Sequence, residues 1–110
     1  MISLLREQPR VTRRKGELTP SRIDREWPYQ VALRADQVSG DRYAIVHGFC
    51  RELSLCPRGH TVCRNNTTYC VFCFTDPAHA ALFCERFKGE PFSPKDRGRG
   101  SGWFLWQKRD

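Results

Sequence analysis

The sequence predicts a small α+β domain, and three observations carry that reading. A strand-like apolar run, Tyr69-Cys-Val-Phe-Cys-Phe74, passes directly into an amphipathic helix with both ends marked. Upstream of it, apolar periods of about two and about 3.6 residues succeed one another as strand, helix, strand. At 110 residues the chain fits one domain, large enough to fold around a single core without obligatory cross-links.

Residues 1–26 mix Arg, Lys, Pro, Gly and Thr with no apolar period and read as a flexible basic arm. The domain proper occupies 27–92, and 93–110 reads as an Arg/Gly-rich linker followed by an aromatic C-terminal segment. Within the domain, Tyr29, Val31 and Leu33 alternate with Gln30, Ala32 and Arg34, a half-buried strand entered through Trp27-Pro28. Val46, Phe49, Cys50 and Leu53 then recur at i, i+3, i+4 and i+7, with Asp41 as N-cap and Cys56-Pro57 as stop, which predicts a helix. Gly48 costs that helix roughly 1 kcal/mol, and 43–49 also fits a short strand.

Runs at 60–64 and 67–74 flank Asn65-Asn66, and asparagine tolerates the positive φ of a tight hairpin. Asp76 caps the second helix, Pro77 takes its first position where a missing N–H costs nothing, and Gly89 supplies a left-handed stop. Ala80, Phe83, Cys84 and Phe87 give this helix one apolar stripe. The ending Trp103-Phe-Leu-Trp106 is apolar enough to add a fourth strand, to pack on the domain, or to bind a partner; 90–92 is the other candidate for a last strand.

The order βαββα, or βαββαβ with a last strand, resembles a ferredoxin-like plait, an antiparallel sheet with two helices on one face. Tyr69-Cys-Val-Phe-Cys-Phe74 followed by Asp76-Pro-Ala-His-Ala-Ala81 is similar to the third strand and second helix of RNA-recognition motifs, over about twenty residues. The sequence departs from that family at Cys70, where glycine or alanine would stand, at Val71, where a stacking aromatic would stand, and at Thr67-Thr68 in place of Lys/Arg-Gly. What the resemblance implies is therefore the plait. Cys-Pro-Arg-Gly-His and Pro-Lys-Asp-Arg-Gly-Arg-Gly are also similar to segments of small alphaproteobacterial proteins, a bacterial likeness that implies no activity.

Net charge is +7, and the excess sits on the two ends: seven Lys/Arg against four acids over 1–26, six against three over 88–110. Ends of this kind attract polyanions by counterion release, so nucleic acid, an anionic membrane surface or an acidic protein are the natural partner classes. The N-terminus carries too short an apolar patch for a signal peptide or a span, which predicts a cytoplasmic location with reduced thiols and no membrane insertion.

Zinc is the alternative chemistry. Cys56-x3-His60 followed by Cys70-x2-Cys73 has the count and ligand types of a structural site, although Cys70 and Cys73 on an extended strand point to opposite faces. Cys50 and Cys84 fall on helix stripes and read as core, and Cys56 beside Arg58 and His60 has the surroundings that lower a thiol pKa. His47 and His79 have no evident Asp or Ser partner, and no phosphate-cradling glycine loop or nucleophile motif occurs. The sequence thus predicts a protein that is not an enzyme and carries no cofactor. Its first reading is a binding module for an anionic partner such as nucleic acid: Arg13, Arg14, Lys15, Arg97 and Arg99 contact phosphate, while Tyr69 and Trp103 stack on bases. The alternatives are a zinc-binding or thiol-dependent adaptor using Cys56, His60, Cys70 and Cys73, or a protein-interaction domain whose aromatic end docks on a partner.

Overall fold

The computed structural model describes residues 18–98, 102 and 104–107. Among these, four runs form strands, β1 (Tyr29–Arg34), β2 (His60–Arg64), β3 (Thr67–Phe74) and β4 (Glu90–Phe92), and three form α-helices, α1 (Pro20–Glu26), α2 (Asp41–Phe49) and α3 (Pro77–Phe87). The strands make one open antiparallel sheet in the order β2-β3-β1-β4. Asn65 (φ 54°) and Asn66 (φ 62°) turn the β2–β3 hairpin, each accepting the left-handed conformation that a two-residue primed turn demands.

In the β1–β3 pairing Val31 lies opposite Phe72 and Leu33 opposite Cys70, so their side chains leave the sheet together. They meet α2 and α3, whose Val46, Cys50, Ala80, Phe83 and Phe87 complete one core. Phe83 is fully buried at its centre, with ring centroids 4.8 Å from Phe72 and 5.4 Å from Phe74. The stripe expected on α3 therefore packs as the periodicity requires.

The opposite face is also covered, and this overturns the expectation of a half-buried first strand. Ala32, Val62, Val71, Cys73 and Phe92 form a second core closed by Ile23 of α1 and by Trp106. Four consecutive residues of β1 are buried, Gln30 among them, because the strand lies between β3 and β4 with cover above and below.

Helix α1 lies inside the stretch read as a flexible arm. Thr19 caps it by accepting a hydrogen bond from the Arg22 N–H, with Pro20 at the first position. That signature repeats Asp76-Pro77 of α3, but Ile23 is the only buried residue of α1, too little to register as an apolar period. Two helix ends also differ from expectation. Gly40, at φ 63°, rather than Asp41 is the N-cap of α2, and the helix gives way to a 3-10 turn at Cys50–Glu52. Lys88 rather than Gly89 takes the left-handed position after α3, at φ 57°. Gly89 instead serves close approach, since a Cβ there would come within 2.6 Å of Val31 Cγ1 and 3.0 Å of Leu33 Cδ2.

Residues 104–106 pack on the domain. Phe104 O accepts from the Cys63 N–H, and the Trp106 N–H donates to Cys63 O, which occupies the outer edge of β2. At the other edge Pro91 stands in the middle of β4 and obstructs strand addition. Among the described residues no helix is long and apolar enough to cross a membrane.

Candidate functional site

Burial of polar groups is costly unless they pair, so the polar residues inside this small domain are the first place to look for chemistry. Under α1, Asp24 accepts hydrogen bonds from His60 Nε2 (2.9 Å) and Gln30 Nε2 (3.1 Å) and pairs with the Arg97 guanidinium. Arg97 also approaches His60 Nδ1 at 3.4 Å; a guanidinium only donates, so Nδ1 accepts and Nε2 carries the hydrogen directed at Asp24. Burial raises the Asp24 carboxyl pKa, but the bonds from His60 and Gln30 and the Arg97 charge outweigh it and hold the group below its ordinary value. This cluster ties α1, β1, β2 and the start of the C-terminal segment together. Its groups are turned inward on one another, which makes it a structural lock.

A second network spans the same face. Arg64 donates to both carboxylate oxygens of Glu90 (2.9 and 3.2 Å) and to the Tyr69 hydroxyl (3.3 Å), and its guanidinium lies 3.9 Å from the Trp106 ring centroid. The Tyr69 ring meets Trp106 edge-on, with centroids 5.0 Å apart.

Of the residues expected to contact nucleic acid, Tyr69 is thus half-buried in an internal aromatic cluster and Arg97 is committed to Asp24. Arg13, Arg14, Lys15, Arg99 and Trp103 lie outside the described residues.

The four zinc candidates are not brought together. Cys70 packs against the α2–α3 core and Cys73 is fully buried in the other, so their sulfurs lie on opposite sides of the sheet. Cys56 is tied by its backbone N–H to Cys73 O (2.8 Å), and His60 is held by Asp24. Among the described residues no group of three His, Cys, Asp or Glu side chains has the placement to hold a metal ion. The six cysteines are free. Burial pushes the Cys56 thiol up despite the lowering effect of Arg58, opposite to the activation its neighbours suggest, and pushes Cys50 up to about 11 and Cys73 up as well.

His79 does have partners, Ser54 supplied by the fold and Asp76 three residues before it. Its Nδ1 accepts from the Ser54 N–H (3.0 Å) and lies 2.9 Å from Ser54 Oγ, and its Nε2 lies 3.6 Å from Asp76. The serine oxygen itself accepts from the Thr75 and Asp76 N–H groups, both at 3.2 Å. It fastens the 53–56 stretch to the start of α3, and neither of the two large surface grooves is lined by Ser54 or His79.

Two sizeable grooves open on the surface. One, about 590 Å³, lies between α3 and β4; four prolines stand in its lining with Val31, Ala80 and Phe92, and its charged residue is Glu85. The other, about 520 Å³, lies between α2 and residues 53–61, floored by Cys70 and Phe72. Both fall in the roughly 300–1,000 Å³ range of sites that take a small organic group. The second differs in chemistry. Tyr43 and His47 stack on its wall with centroids 4.1 Å apart, Arg51 follows one turn on, and no carboxylate lines it.

The chain matches no family model, no curated protein and no solved structure. The site must therefore be judged on its own geometry. The sequence marked His47 only as a histidine without an Asp or Ser partner and did not single out Tyr43 or Arg51 as site residues, although their spacing of four was legible once α2 was placed. The buried stripe through Val46 and Cys50 was legible and is borne out; what the sequence did not carry was that residues 53–61 and Phe72 close a groove beside the 43–47–51 edge.

Proposed function

We propose that the protein is a non-enzymatic binding module for nucleic acid, built on a ferredoxin-like plait. The plait reading is supported by the strand order β2-β3-β1-β4, with β2 and β4 as the outer strands and the two longer helices on one face. Six free thiols, three of them buried, fit a reducing, cytoplasmic compartment.

The observation that carries the functional reading is how charge is distributed over the fold. Nine acids and eleven basic residues lie among the described residues, but Asp24, Glu26, Asp36 and Glu90 are engaged by arginine. Arg51, Arg58, Lys88 and Lys95 face solvent and meet no described carboxylate. Eight more Lys/Arg lie outside the described residues against three acids. The described residues thus carry +2 of the net +7 and the other +5 lies on residues outside them, a basic excess of the kind that releases counterions from a polyphosphate.

The test is anisotropy of a labelled oligonucleotide titrated with the full chain across salt concentrations. Binding at low salt that weakens with a log–log slope of roughly −3 or steeper is expected, equivalent to four or more phosphate contacts. Lack of binding at low salt overturns the reading.

A further inference from the structure

Resting on that reading, we infer that the groove between α2 and residues 53–61 is a binding site for single-stranded nucleic acid, with one base stacked on Tyr43 and an adjoining phosphate held by Arg51. Three features of the groove converge on this ligand. The Tyr43 ring is 57 % exposed yet held in place, because His47 stacks against it at 4.1 Å and is itself 5.6 Å from the Phe72 ring in the floor. A ring supported on one side with its outer side open is a platform for a second planar group. Arg51 stands on the same side of α2 and its following turn and has no described carboxylate within ion-pair reach.

Charge separates this groove from the other one. The α3–β4 groove carries Glu85 and would repel a phosphate; here Arg51 lines the wall and no acid does, while Arg58, between the lining residues Pro57 and Gly59, and Glu52, between Arg51 and Leu53, offset each other beside it. The class of nucleic acid follows from the platform. A stacked base must present a free π-face, which single strands offer and a duplex keeps occupied by its neighbours. The hydroxyl of Thr61, exposed at the groove, adds a neutral donor and acceptor for a sugar or base edge.

The experiment uses the full chain and labelled oligothymidylate and oligouridylate of roughly a dozen nucleotides, within the site sizes such proteins cover. Tyr43→Ala is expected to weaken binding roughly fivefold to a hundredfold, with Tyr43→Phe staying near the wild type because stacking needs the ring and not the hydroxyl. Arg51→Ala should weaken binding and make the salt slope shallower by roughly 0.7. Arg86→Ala on α3 removes the same charge away from the groove and should leave affinity within about twofold.

Circular dichroism and the melting temperature of each variant show whether it is folded; Tyr43 and Arg51 are both exposed, so native values are expected. Wild-type binding that Tyr43→Ala and Arg51→Ala leave unchanged overturns the groove assignment and leaves the proposed function standing. A duplex of equal length bound as tightly as the single strand overturns the ligand class. Absence of wild-type binding at low salt overturns both this inference and the reading beneath it.

Discussion

At the scale of single residues, the decisive fact is where charge is buried. Asp24 and Arg97 have side chains only 15 % and 12 % exposed, and each would be an uncompensated buried ion without the other. Asp24→Asn should therefore destabilise the fold by roughly 3 to 5 kcal/mol, measured by urea unfolding at neutral pH. The pH dependence has a definite sign. Because the folded carboxyl pKa lies below its ordinary 3.8, the stability it contributes is fully present above that value and is lost as pH falls through the folded pKa. The wild type should lose stability on acidification below about pH 4, and Asp24→Asn should show a flatter profile over the same range. An unchanged profile would show that another carboxylate governs the acid limb. His60 and Arg97 were noticed in the sequence for other reasons, as a zinc ligand and a phosphate contact. Their common partner Asp24 is 36 residues from one and 73 from the other, a separation at which residue spacing carries no signal.

At the scale of elements, local signals held where a cap or turn residue and the adjoining pattern agreed, and missed elsewhere, as at the start of α2, where Gly40 and not Asp41 is the N-cap. Asp76-Pro77 and Asn65-Asn66 act as read, because capping and left-handed turns depend on residues within three or four positions. The exit from α3 went otherwise. Gly89 is drawn in against Val31 and Leu33, so the left-handed residue falls one position earlier, on Lys88. A side chain with a Cβ in that conformation costs roughly 1 kcal/mol, and Lys88 is exposed. Lys88→Gly is thus expected to raise stability by up to roughly 1 kcal/mol, less the extra freedom glycine gives the unfolded chain, visible as a higher melting temperature. A lower melting temperature would mean that the lysine side chain contributes more than the φ strain removes. Helix α1 shows the complementary limit: its cap was legible in Thr19-Pro20, but one buried isoleucine makes no period.

At the scale of the whole molecule, the sheet has two covered faces, and the second depends on a segment far along the chain. Trp106 is 4 % exposed, closes on Phe92 and Tyr69, and supports the Arg64–Glu90 bridge between the outer strands. Among the described residues its indole Nε1 has no hydrogen-bond partner, and its visible contributions are apolar contact and the cation–π stack. Trp106→Ala should cost roughly 3 to 5 kcal/mol in chemical denaturation, in the range for large buried aromatics, whereas exposed Tyr43→Ala should stay within roughly 0.5 kcal/mol. A small effect of Trp106→Ala would show that the second core is closed by α1 alone. That closure also explains why Tyr69, an attractive stacking residue on a bare sheet, has its ring turned to internal partners while α2 presents Tyr43 outward.

The amino-acid order by itself determined the succession of strands and helices from β1 to α3, the hairpin and the apolar stripe of α3, because each rests on periodicity and on conformational preferences that act within a few residues. It also determined the net positive charge. Only the tertiary structure decided that both faces of the sheet are covered, so that the opposite directions already legible for Cys70 and Cys73 lead into two cores, that Asp24, His60 and Arg97 are one cluster, and that Tyr43 and Arg51 line one groove. Those are contacts between residues distant in the chain, and they are selected by competition for buried area and for polar partners, which no local pattern encodes.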